Sequence, residues 1–180
     1  FTDASTGTSA TSGFSIFKSG GDEGYIWNYS NASMRFGTSN TERMCILSSG
    51  NIGIGTTNPS SLIHLHNTNA SGEVKILLTD GSTGTSATSG FSIFKSGGDE
   101  GYIWNYSNAP IRFGTSNLER MCILGDGKIG IGTNAPTSLL HLHNASGEVK
   151  ISLTDASTGL TTTDGFSIFK SSGNDGYLWN

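Results

Sequence analysis

The chain has 180 residues, a formal charge of −4 and only 13% charged residues, against roughly 25% in an ordinary domain. That balance excludes a highly charged disordered tail, and with Lys and Arg together numbering 10 it gives no basic footprint for nucleic acid. Gly, Ser and Thr supply 74 residues while Leu, Ile, Val and Phe supply 39, so a core is affordable only if it is thin.

Internal repetition sets the organisation. The segment GFSIFK begins at Gly13, Gly90 and Gly165, at offsets of 77 and 75 residues. It divides the chain into repeats at 1–77 and 78–152 and a partial third at 153–180. Of 75 aligned positions in the first two copies 13 differ, many mildly, as Ile63 against Leu140. The two additional residues of the first copy, Thr68 and Asn69, lie in a polar stretch, where an insertion costs least. The chain starts at Phe1 rather than Met and stops at Asn180 without a distinct capping sequence, so the expectation is a piece of a longer array. No apolar run approaches 18 residues and no charged-then-apolar leader stands at Phe1, so neither membrane insertion nor a signal peptide is expected.

Gly, Ser, Thr and Asn interrupt the sequence every few residues and oppose helix throughout. In the second copy the pattern predicts strands at Phe91 to Lys95, Tyr102 to Tyr106, Ile111 to Gly114, Arg120 to Leu124, Ile129 to Ile131, Leu139 to His143 and Val149 to Leu153. Turn-forming clusters separate them. Helix formers between Glu119 and Leu124 pull against the fourth. Strand alternation puts Tyr102, Trp104 and Tyr106 on one face and Ile103 and Asn105 on the other. In Ile129-Gly130-Ile131-Gly132 the isoleucines share a face, and the glycines opposite allow another backbone to come close. So many short strands with so little bulk leave sheet faces poorly covered, and partner chains are the expected cover.

The stretch GYIWNYSNAPIRFGTSNLERMCILGDGKIGIGTNAPTSLLHLHN (Gly101 to Asn144), with its copy from Gly24 to Asn67, resembles repeats of bacteriophage and other viral tail fibres. Those repeats carry an aromatic YIWN-type strand, a FGTN-TERM-type segment, a glycine-alternating GNVGIGT strand, a proline turn and an LHV-type strand. The most specific piece runs from Ser49 through Leu65, and related segments occur in bacterial surface proteins. The resemblance implies an all-β, elongated, homotrimeric fibre shaft with sheets and core shared between chains, commonly upstream of an endosialidase-type intramolecular chaperone. This sequence departs from the pattern in its near-identical tandem copies, in Cys45 and Cys122, and in the second histidine of LHLHN.

Several side chains are candidates for chemistry. His64 with His66, and His141 with His143, each project to one face of a strand, so a threefold axis could gather six nitrogens for an octahedral metal ion. The other reading turns them to solvent, since Ile63 and Leu65 occupy the opposite, core-directed face. Tyr25, Trp27 and Tyr29, repeated as Tyr102, Trp104 and Tyr106, are either a glycan-stacking surface or aromatic filler. Asp22, Glu23, Asp99, Glu100 and Asp175 sit beside glycines without the ligand spacing of a calcium loop, and hairpin-turn chemistry accounts for them. Cys45 and Cys122, too few for a disulfide scaffold and too far apart for a zinc cluster, suit small buried apolar positions. No Ser, His and acid motif and no Walker-type loop is present, so neither catalysis nor a cofactor is expected.

The functional expectation is a structural shaft on a virion surface or outside the cell. It extends and presents a host-attachment tip, and its partners are two further copies of itself, neighbouring fibre or virion proteins and a host-surface glycan. The alternative is an extracellular or cell-surface adhesin or filament whose repeats bind glycans directly.

Overall fold

The structure, a computed structural model, describes residues 12–18, 20–98, 100–161, 164–171, 173 and 175–179. Among them the fold is all-β, with sixteen strands and no helix. In chain order these are β1 (Phe14–Lys18), β2 (Gly24–Asn28), β3 (Met34–Thr38), β4 (Thr41–Ile46), β5 (Ile52–Ile54) and β6 (Ile63–Leu65). Then come β7 (Val74–Leu78), β8 (Phe91–Lys95), β9 (Gly101–Asn105), β10 (Ile111–Thr115), β11 (Leu118–Ile123), β12 (Ile129–Ile131) and β13 (Leu140–Leu142). β14 (Val149–Leu153), β15 (Phe166–Lys170) and β16 (Gly176–Trp179) complete the series.

The strands form five small sheets, ordered β1-β2, β3-β4-β5-β6, β7-β8-β9, β10-β11-β12-β13 and β14-β15-β16. After the two-stranded β1-β2 sheet, four-stranded and three-stranded sheets alternate along the chain. β7 belongs by sequence to the first copy, yet it is hydrogen-bonded to β8 of the second. The same holds for β14 and β15 one copy later. By compactness the chain divides differently again, into Phe1–Ile76 with Ile93–Ile103 and Leu77–Ser92 with Trp104–Asn180.

All seven strands expected in the second copy are present, three with the expected bounds and four with ends moved by one or two residues. The largest change is β11, which starts at Leu118 rather than Arg120. Its cause is the two-residue hairpin loop Ser116-Asn117, with φ of 52° and 60°. Two successive left-handed residues make a type I′ turn, whose twist lets both strands pair up to the turn itself. The helix formers of β11 yield because the strand lies inside the sheet, flanked by β10 and β12.

β5 and β6 pair in parallel, as do β12 and β13. A parallel return normally needs a dozen or more residues. Here residues 55–62 suffice, because the strands are three residues long and the path back is only about 10 Å.

The interior is thin. Among the described residues the fully buried side chains are Cys45, Cys122, Ser92 and Ser167, all small. Ile, Leu, Phe and Trp, which fill an ordinary core, lie largely exposed. The physical reason is visible in the register of the sheets.

Candidate functional site

In the first four-stranded sheet the register aligns residues into rows across all the strands. Met34, Ile46, Ile52 and Ile63 make one row, and Phe36, Met44, Ile54 and Leu65 make another. Between them runs Arg35, Cys45, Gly53 and His64. Adjacent rows of a sheet point to opposite faces. One face is therefore wholly apolar and the other carries Arg, Cys, Gly and His. The second four-stranded sheet repeats this, with Ile111, Ile123, Ile129 and Leu140 on the apolar face and Arg112, Cys122, Gly130 and His141 opposite.

The chain's own loop covers the mixed face. After β5 it folds back over Gly53, so that a Cβ there would sit 2.5 Å from the Thr56 carbonyl oxygen and 3.1 Å from the Cys45 sulfur. Cys45 Sγ donates to that carbonyl at 3.4 Å, and Cys122 Sγ to Thr133 at 3.5 Å. The glycines thus admit another backbone, as the alternation implied, and that backbone is the chain's own loop. Both cysteines are unbridged and fully buried under it. Arg35 pairs with Glu42 and Arg112 with Glu119 along the same face. These pairs come from the bulge between Phe36 and Gly37 and its counterpart between Phe113 and Gly114, which turn the glutamates toward the arginines. The hydrogen bond to Glu42 holds the Arg35 guanidinium above its ordinary pKa. Among the described residues no comparable closure is seen over the apolar face, where Phe36 is 41%, Ile54 46% and Ile63 63% exposed and Met34, Met44, Ile46, Ile52 and Leu65 are half-buried.

The hairpin sheets sort their residues by face as well. In β14-β15-β16, Ile151, Ile168 and Leu178 align in one row and Leu153 pairs with Phe166 in another on the same side. On the reverse, Lys150 aligns with Phe169 and Tyr177, and Ser152 with Ser167 and Trp179. That reverse face organises itself. Phe169 stacks on Tyr177 at 5.0 Å, Lys150 Nζ lies 5.7 Å from the Phe169 ring centroid, and Ser167 is buried. In β7-β8-β9, Phe94 stacks on Tyr102 at 4.6 Å with Lys75 Nζ 4.7 Å from the Phe94 centroid. Its aliphatic side, with Ile76, Ile93 and Ile103, is exposed.

The candidates named from sequence fall into place on these faces. His64 and His66 bring their rings to 6.0 Å, and His141 and His143 to 6.2 Å. His64 Nδ1 accepts from the Ser60 N–H and His141 Nδ1 from the Thr137 N–H, both at 3.3 Å, so one histidine of each pair fastens the loop before its strand. They stand opposite the aliphatic rows, and among the described residues no three His, Cys, Asp or Glu side chains gather as a metal site. Tyr25, Trp27 and Tyr29 form a continuous aromatic run with centroids 6.4 and 6.2 Å apart, and Trp104 lies 6.3 Å from Tyr106. Trp27 and Trp104 are about half exposed, at 49% and 47%. Glu23 and Glu100 accept hydrogen bonds from Tyr25 and Tyr102, and the bond to Glu100 pushes the Tyr102 phenol above its usual pKa. Asp22 pairs with Lys18 across the turn at 3.0 Å. Asp99 lies outside the described residues. Asp175 accepts at its carbonyl from the Ser171 N–H at 3.2 Å.

Two residues that the sequence reading passed over hold the loops between copies. Asp80 Oδ1 accepts from the N–H groups of Ser82 and Thr83, both at 2.9 Å, and from the Ser82 hydroxyl at 2.7 Å. These bonds, the Ser82 hydroxyl first, hold its carboxyl down at about 2. Asp155 repeats the arrangement with Ser157 and Thr158, and its pKa is lowered for the same reason. The signal was the recurring Asp-x-Ser-Thr-Gly, in which a side-chain acceptor two and three residues ahead of free N–H groups makes an Asx turn.

No family model matches the chain, and no curated protein matches it.

Proposed function

We propose that the chain is a structural shaft: a tandem-repeat segment of a trimeric viral or phage-like fibre, working outside the cell or on a virion to extend and present a host-attachment tip. The observation that carries this reading is the pairing of near-identical copies with sheets that leave one apolar face uncovered by their own chain. A chain of this kind gains its interior on association, so folding and assembly are one event. Tandem copies then set reach, and repeated contacts give even stiffness. Sedimentation equilibrium at micromolar concentration should return three chain masses, and negative-stain images should show a thin rod with threefold symmetry. A monomer with a cooperative thermal transition at nanomolar concentration would overturn the proposal.

A second reading draws on one specific feature, the half-exposed Trp27 and Trp104 beside tyrosines hydrogen-bonded to carboxylates. Aromatic faces next to polar acceptors suit sugar rings. As an adhesin the chain would bind glycans along its length, and Trp104→Ala would abolish binding on a glycan array without changing the assembly.

A further inference from the structure

Resting on the reading as an assembly of identical chains, we infer which surface joins them: the aliphatic sheet faces meet those of other copies of this chain, and the aromatic and histidine faces point outward. Four observations carry this assignment.

The mixed face of each four-stranded sheet already has its cover, since the loop after Gly53 or Gly130 seals Cys45 or Cys122 completely. The aromatic face of the hairpin sheets is organised within the sheet, by ring stacks with a lysine over Phe94 and Phe169 and by the buried Ser92 and Ser167, while Trp27 and Trp104 stay about half exposed. The aliphatic faces have neither device. Their central rows contain Ile, Leu, Met and Phe without a charge, so they attract no ionic partner and are complementary to themselves.

Finally, the face recurs in register with the repeats, at Phe36 and Phe113, Ile54 and Ile131, Ile16 and Ile93 and Ile168. A partner covering every copy must carry the same period, and another copy of this chain does.

The test uses the full 180-residue chain, first by sedimentation and then by hydroxyl-radical footprinting of the unaltered protein, which does not depend on a variant folding. In the assembly Phe36 and Phe113 should be oxidised at least about tenfold more slowly than in the dissociated, unfolded chain, while Trp27 and Trp104, about half exposed in the fold, slow by only about twofold. In parallel, Ile54→Asp with Ile131→Asp places two carboxylates in that face and should weaken association by at least about 100-fold. Trp27→Ser with Trp104→Ser should leave association unchanged. An assembly in which the tryptophans are protected and the phenylalanines oxidise freely would overturn the face assignment and leave the structural reading intact. A chain that stays monomeric at micromolar concentration would overturn both. A monomer that floats with phosphatidylcholine vesicles would assign the face to lipid, with the same consequence.

Discussion

Asp80 shows how much of this protein is held by single polar side chains. Its carboxylate gathers two backbone N–H groups and two hydroxyls, those of Ser82 and Thr83, at one oxygen. Each of those donors prefers the ionised form, which is why the carboxyl titrates near 2 rather than at the ordinary 3.8. The sign of the linkage follows. A group whose folded pKa is depressed contributes stability above its unfolded value, and that contribution is lost as pH falls through the folded one. The turn at 80–84 should therefore keep its order down to about pH 4 and lose it progressively toward about pH 2. A carboxyl NMR titration of Asp80 should give a midpoint near 2, accompanied by faster amide exchange at Ser82 and Thr83. A midpoint at the ordinary value would mean that the turn bonds do not persist in solution. Asp80→Asn, which cannot ionise, should remove the pH dependence of exchange in that turn.

At the level of strands, much was legible in the sequence, and the reason is the period of two. Ile-Gly-Ile, Tyr-Ile-Trp and Leu-His-Leu each fix a strand and sort its faces without knowledge of its neighbours. Pairing was less accessible. Nothing in Ile129 to Leu142 announces a parallel return through so few residues, because that possibility depends on strand length rather than on composition. Alternation also told that Gly130 accepts a close backbone, but not whose. The answer, the chain's own Thr133, can be tested. A Cβ at Gly130 would collide with the Thr133 carbonyl and lie 3.2 Å from Cys122 Sγ. Gly130→Ala should destabilise the fold by about 1–3 kcal/mol, the usual consequence of overpacking. Gly101→Ala, on a strand with open space around it, should change stability by less than about 0.5 kcal/mol. Thermal melts of the two variants at equal concentration make the comparison, and equal losses would show that the loop does not press on Gly130.

For the whole chain, the proposed assembly would make stability a matter of mass action. A protein whose cover comes from its own backbone melts at one temperature at every concentration, while an assembly that unfolds into separate chains does not. If three chains fold as one unit, the unfolding equilibrium releases two additional particles, so each tenfold dilution removes about 2.7 kcal/mol per assembly. A dimer would lose about 1.4 kcal/mol for the same dilution. Melting the 180-residue chain across three decades of concentration should therefore give a temperature that rises steadily, with a slope matching the trimer value once the unfolding enthalpy is known from calorimetry. A slope about three-quarters as large, at the same unfolding enthalpy per chain, would replace three chains by two while leaving the aliphatic faces as the contact. A flat line would mean that Ile54, Ile63 and their neighbours remain in water and that the polar turns and ring stacks alone hold the sheets.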